Sequence, residues 1–321
     1  MQRLLEAYSP TYATDQLQRA GLEGPHQFIR GLDASFDLLT YLEGLMQPLA
    51  ETADFRSVVQ QGDCETWVLM RRLAWDSEFF ARGMARLDAC VRPGIKRGPR
   101  ADVEGEIAAL RTALNEARGA GIDYVVSHVR PSDLPMLRIL AANGFELVET
   151  RCYYHRPLRA APLERYRTRL ATADDAPSLA RAARVMVNPF DRFHADISIS
   201  EHDADRLMER WVDASINSGF ADATVVPDEL APEAFCTAKY HREHWKGWGL
   251  RLAQPVLSAV ARRHKGWYMK IISEMDEHLR TVGAEHSFLV TQITNNAVIR
   301  SWEKLGYQFG KGEHVFRKVL A

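Results

Sequence analysis

The chain has 321 residues, which at ~150 residues per domain points to two domains. Forty-one Lys and Arg against forty-two Asp and Glu leave a formal charge of −1, which excludes the global basic footprint of a phosphate-backbone binder. With 46% hydrophobic and 26% charged residues the chain is too apolar to be disordered, and no apolar run reaches the ~20 residues of a membrane span. The opening MQRLLEAYSP lacks the apolar core of a secretory signal. Cys64, Cys90, Cys152 and Cys236 lie far apart, without metal-ligand spacing. The sequence therefore predicts a soluble cytoplasmic protein with buried free thiols and no metal site.

Residues 1–60 read as helical and polar-rich, with Leu38, Leu39, Leu42 and Leu45 near helical spacing. A strand is expected at Thr66–Leu73, then an aromatic turn, Ala74–Phe80, and an exposed Pro/Gly/basic loop, Arg92–Arg100. Ile107, Leu110, Leu114 and Ala117 mark a helix from Val103 that stops near Gly119 and Gly121. Tyr124–Val129 is a buried-type strand, Asp133–Ala142 a second helix, and Phe145–Glu149 the strand behind it.

The same order returns later. A helix with the stripe Tyr268, Ile272, Met275 and Leu279 follows Gly266; strand Ser287–Thr291, helix Asn295–Lys304 and a final strand from Tyr307 complete it. The offset is constant: 121 + 162 is 283 (both Gly), 138 + 162 is 300 (both Arg), and 144 + 162 is 306 (both Gly). A gap-free register of this kind predicts a duplicated α/β module, with a mixed α+β sheet in each copy. The division is placed at 1–160 and 161–321. Arg156–Arg169, with two prolines and five arginines, reads as a solvated linker. Tyr166–Leu170 follows as a strand, then an N-cap run, Thr172–Asp175, ahead of helix Leu179–Val187.

Four stretches of the second half resemble the GNAT acyltransferase superfamily: Arg169–Pro177, Ala259–Gly266, Thr291–Asn296 and Asn296–Tyr307 with its Trp302-Glu303-Lys304-Leu305-Gly306-Tyr307 ending. The first half looks like a degenerate second copy. A narrower likeness, to the dTDP-fucosamine acetyltransferase group, rests on Leu73–Phe80 (LAWDSEFF), on the loop Asn188–Asp196 (NPFDRFHAD), and on Arg210-Trp211 with Ser215–Asp222.

The resemblance implies a donor site at Lys265-Gly266-Trp267-Tyr268-Met269-Lys270, where backbone N–H groups at a helix N-terminus cradle the donor's pyrophosphate. Relatives carry Arg/Gln-x-x-Gly-x-Gly/Ala there. This chain departs from that pattern, with Lys265 leading and Tyr268 and Lys270 where small residues are expected. Val260, Arg263, Asn295 and Asn296 complete the implied donor contacts. The tyrosine that protonates the leaving thiol in many relatives is Trp302 here, whose indole N–H donates a hydrogen bond but is no acid; Tyr268 is the nearby phenol. On the acceptor side His194 is the proton handler, an imidazole that titrates near neutrality, with Arg192, Phe193 and Asp196 around it. His241 and His244 flank a run ending Trp245-Lys246-Gly247-Trp248-Gly249, read as a hairpin with exposed aromatics.

The implied function is N-acylation of a nucleotide-linked amino-deoxysugar by acetyl-CoA or another acyl-CoA, in polysaccharide biosynthesis. The partner is a small nucleotide sugar, with no membrane and with a homodimer left open. Two rivals remain. One is a transferase of aminoacyl groups from tRNA on the same fold, using Arg156–Arg169 and Arg262–Lys270 as a basic channel. The other is a non-catalytic binding protein that has lost its cradle.

Overall fold

The computed structural model describes residues 2–159, 164–185 and 188–320. The chain forms two compact units, one of Met1–Gln27, Ala34–Thr150 and Gly312–Ala321, the other of Phe28–Asp33 and Arg151–Lys311. In chain order the elements begin with β1 (Gln2–Arg3), α1 (Leu4–Ala7), α2 (Pro10–Arg19), α3 (Ala34–Met46), β2 (Ser57–Gln61) and β3 (Cys64–Arg72). Then come α4 (Ala74–Phe79), β4 (Met84–Val91), α5 (Glu104–Gly119), β5 (Tyr124–Val129), α6 (Leu134–Ala142) and β6 (Glu146–Pro157). The second half holds β7 (Thr168–Leu170), α7 (Ala176–Val185), α8 (Glu201–Asn217), β8 (Ala223–Pro227), β9 (Ala234–Lys239) and α9 (Trp245–Trp248). It ends with β10 (Leu252–Val260), α10 (Trp267–Thr281), β11 (His286–Gln292), α11 (Asn296–Lys304) and β12 (Gln308–Val319).

In the first unit the strands run β1-β2-β3-β4-β5 and are closed by the C-terminal part of β12, antiparallel to β5 from His314 to Val319. Only β4 and β5 are parallel, paired from Met84 to Leu87. Helices α5 and α6 cover one face, with Leu110, Ala113 and Ala117 buried on Val68, Met70, Leu87 and Val125. The N-terminal helices cover the other, where Leu17, Leu42 and Met46 meet Trp67 and Leu69.

The second unit repeats this plan. Its order is β7-β8-β9-β10-β11, closed by the Arg151–Pro157 part of β6 antiparallel to β11. Here β10 and β11 are the parallel pair. The 162-residue register carries through to the packing: Leu110 and Ile272, Ala113 and Met275, and Ala117 and Leu279 are all almost fully buried. Gly121 with Gly283 and Gly144 with Gly306 share positive φ at the helix ends, the left-handed region that glycine enters without a Cβ penalty. The duplication is real, and each unit is closed by a strand from the other half of the sequence.

Several sequence readings need correction. Cys64, at the start of β3, is exposed, and only Cys90, Cys152 and Cys236 are buried. Residues 1–60 contain two strands as well as helices, because β1 and β2 pair at the edge of the first sheet. Ala74–Phe79 is a helical turn. The strand begun near Phe145 runs on to Pro157, so Arg156 is no linker residue: it is 3% exposed and ion-paired to buried Asp276. Residues 160–163 of the expected linker, and Met186 and Val187 of the expected helix, lie outside the described residues. Asp276 falls on the stripe position held by Leu114 in the first half (114 + 162 is 276). A carboxylate there needs partners, and Tyr307 donates to it at 2.6 Å. Burial still pushes its carboxyl up to about 6.

Candidate active site

The parallel pair of the second unit is joined only at Leu252–His286 and Ala253–Ser287. Beyond that point β10 keeps its antiparallel partner β9, with an irregularity between Pro255 and Ser258, and separates from β11. Two diverging strands leave backbone N–H and C=O groups facing a cleft, and such groups must find partners there. The chain leaves β10 at Val260 and, after the turn Arg262–His264, enters α10 at Trp267. Gly266 is its N-cap at φ 92°, no side chain caps it, and its first turn has no acidic residue. A Cβ on Gly266 would meet nothing within 4 Å, so the N-cap position itself is uncrowded.

The expected donor residues divide by how they are held. Arg263 is committed to Glu233 at 2.9 Å and to the Ala231 carbonyl. The adjacent His264 is buried, with Nε2 against Glu229 at 2.5 Å, so the Arg262–His264 turn is pinned to the 229–233 loop. Lys270 lies over the Tyr166 and Trp267 rings at 5.0 and 5.2 Å. Lys265, with Arg262 before it, is exposed and has no carboxylate partner among the described residues. Val260 ends β10, and Met269 is half-buried in the first turn of α10.

Tyr268 turns inward. Its hydroxyl is hydrogen-bonded to Ser258 on β10 and accepts the Trp302 indole N–H at 3.0 Å from α11, and burial pushes its phenol well up. Trp302 is 2% exposed and stacks obliquely on Tyr154. These two expected catalytic residues therefore touch each other across the α10/α11 side of the sheet. Asn295 sits at the N-cap of α11, but its side chain makes no capping bond and donates instead to Thr291 Oγ1 at 3.2 Å. Asn296 is the first residue of that helix.

On the acceptor side the loop from Asn188 to Ile199 is tied internally and to β11. Asn188 donates to Gln292 at the end of β11, and Asp191 accepts the backbone N–H groups of Phe193 and His194. Phe193 is buried beneath Arg192, whose guanidinium lies 4.2 Å from the ring centroid. Asp196 is 1% exposed and accepts the Ser198 N–H. His194 is held at both nitrogens, by Asp191 at 2.6 Å and by Asp205 of α8 at 3.4 Å. Burial opposes its charge, but the two aspartates outweigh it and raise its pKa. A group raised in the fold contributes stability that is complete below the ordinary imidazole value of about 6.5 and is lost as pH rises through the folded value. Thermal melts of wild type and His194→Asn across pH 5–9 should accordingly differ most at the acid end and converge at the alkaline end. A difference independent of pH would remove the charged clamp.

Sequence reasoning missed Asn188 with Gln292, the Glu229 and Glu233 anchors, and two half-buried histidines of the β6/β11 ladder. His155 and His286 share one sheet face with Phe288, and burial lowers both their pKa values. The expected aromatic hairpin at 241–249 is instead a short helical turn with Trp248 buried at 3% exposure. The Trp245 indole N–H donates to the Tyr240 and Leu252 carbonyls.

Comparison with known proteins finds no matching family model and no matching curated protein. Solved structures do match. A GCN5-related N-acetyltransferase from Sphaerobacter thermophilus has a TM-score of 0.57 at 13% identity, over 89% of this chain and 86% of that one. A tandem GNAT protein from the clavulanic acid biosynthesis pathway has a TM-score of 0.54 at 14% identity, over 98% and 95%. The fold is a tandem GNAT-like fold. A functionally unknown conserved protein from Staphylococcus epidermidis is similar as well, at 0.53 and 9% identity over 83% and 95%. At such identities the likeness concerns the fold alone. No described helix of this GNAT-like chain is long and apolar enough to cross a membrane.

Proposed function

We propose that the second unit transfers an acyl group from acetyl-CoA or a related acyl-CoA to the amine of a nucleotide-linked amino-deoxysugar. The observation that carries this reading is the diverging β10/β11 pair beside the uncapped, acid-free start of α10. Backbone N–H groups of Trp267, Tyr268 and Met269 and the cations of Arg262 and Lys265 receive the donor's pyrophosphate. N–H groups of β10 beyond its irregularity polarise the thioester carbonyl. The acceptor amine forms the C–N bond as the C–S bond breaks. Its proton passes to water, since His194 is engaged at both nitrogens and serves to hold the loop. The departing thiolate takes its proton from water, because the Tyr268 hydroxyl is buried and already engaged by Trp302. The Asn188–Ile199 loop frames the nucleotide sugar, with Arg192 for a phosphate.

Incubating the protein with acetyl-CoA and a dTDP-linked amino-deoxysugar should release free thiol in step with N-acetylated sugar. Thiol release with simple amines but not with the sugar would retain acyl transfer and discard the acceptor. Release with neither would discard the activity.

A further inference from the structure

The first unit carries a second candidate ligand site, independent of the acyl-transfer reading. The outer face of α5 and the end of β12 bound a groove of about 360 Å³. Arg111, Asn115 and Arg118 recur at i, i+4 and i+7, which sets them on one face of α5, and Lys318 joins them from β12. The floor is apolar, formed by Leu114 and Leu320, both buried. Lys318 Nζ extends over Gly144, where an added Cβ would stand only 3.2 Å away, and φ of 70° also favours glycine at that turn.

No carboxylate lines the groove, and none of its three cations has an ion-pair partner among the described residues. Other cations of the same unit are matched: Arg317 pairs with Glu146 at 3.0 Å, Arg82 with Asp123 at 2.6 Å and Arg92 with Glu106 at 2.8 Å. Three positive charges without a carboxylate partner exceed the partial negative charge, about half an elementary charge each, of the α5 and α6 C-termini beside them, and the surplus attracts an anion. Guanidinium forks suit phosphate oxygens, and an ammonium adds a point charge. The volume lies at the lower end of small-ligand sites, ~300–1,000 Å³, which fits a phosphate monoester carrying a flat or apolar body.

We propose that this groove binds a phosphorylated small molecule of the size of a nucleoside monophosphate, with its phosphate among Arg111, Arg118 and Lys318 and its body on Leu114 and Leu320. Calorimetric titration with AMP, adenosine and inorganic phosphate at low salt tests it. AMP should bind more tightly than phosphate, adenosine should not bind, and affinity should fall as salt screens the exposed charges. The double variant Arg111→Gln/Arg118→Gln should weaken AMP at least tenfold with an unchanged thermal transition, because both side chains are exposed. Lys265→Gln, at the α10 start in the other unit, should leave AMP binding intact. Absence of AMP binding at low salt, equal binding of AMP and phosphate, or unchanged AMP affinity in the double variant would each overturn the proposal.

Discussion

Replacing Trp302 by alanine should destabilise the second unit by about 3–5 kcal/mol, the usual cost of truncating a buried tryptophan. The indole is 2% exposed, sits in the core cluster with Ile272, Met275 and Tyr307, and gives its N–H to the Tyr268 hydroxyl. Removing it opens a cavity and leaves Tyr268 with Ser258 as its remaining side-chain partner. Trp302→Phe keeps much of the volume and should cost far less. Urea unfolding followed by far-UV signal checks both variants. An alanine variant within 1 kcal/mol of wild type, on the order of an ordinary surface substitution, would mean that α11 is not held by this side chain.

Glu106→Ala should damage the first unit on a similar scale. Glu106 is fully buried, bonded by Arg92 at 2.8 and 3.1 Å and faced by Arg97 at 3.6 Å, and Arg97 itself is only 8% exposed. Taking one partner from a buried ion pair strands the other's charge, at a cost of about 3–5 kcal/mol. The position matters for function as well. Glu106 lies in the first turn of α5, the helix that corresponds to α10, so a carboxylate and its two arginines stand where the second unit leaves its helix start free of acid. Ser127 also donates to the Leu87 carbonyl at 3.0 Å where β4 and β5 part. On the acyl-transfer proposal, these contacts leave the first unit without a donor site. Loss of the melting transition of the first unit, with CoA binding retained in the second, is the expected result. A variant as stable as wild type would show that the Arg97 charge finds relief elsewhere.

The parts of this fold legible in the sequence are those fixed by local pattern. The stripe Tyr268, Ile272, Met275 and Leu279 has spacings of four, three and four, and that alone turns Tyr268 toward the sheet. The 162-residue register pairs Leu110 with Ile272 from the sequence alone. What escaped was non-local. Nothing in the alternation of Glu146–Pro157 or Gln308–Val319 says which unit each end strand closes, since both strands are twelve residues long and similarly half-buried. The arginines of the donor loop look alike in sequence, yet Arg263 is taken by Glu233, thirty residues away, while Arg262 has no acidic partner among the described residues. His194 reads as a titrating base in isolation; Asp205, eleven residues on, becomes its neighbour only when α8 packs beside the loop.

The central claim is that the start of α10 and the cleft between β10 and β11 take a CoA-type donor even though Tyr268 replaces a cradle glycine. Calorimetric titration of CoA at low and high salt, on wild type and on Tyr268→Gly, tests it most directly. With Tyr268 turned inward the backbone N–H groups stay open, so wild type should bind one CoA per chain, with affinity falling as salt rises. Binding that appears only in Tyr268→Gly would contradict the claim and make the native donor something other than CoA.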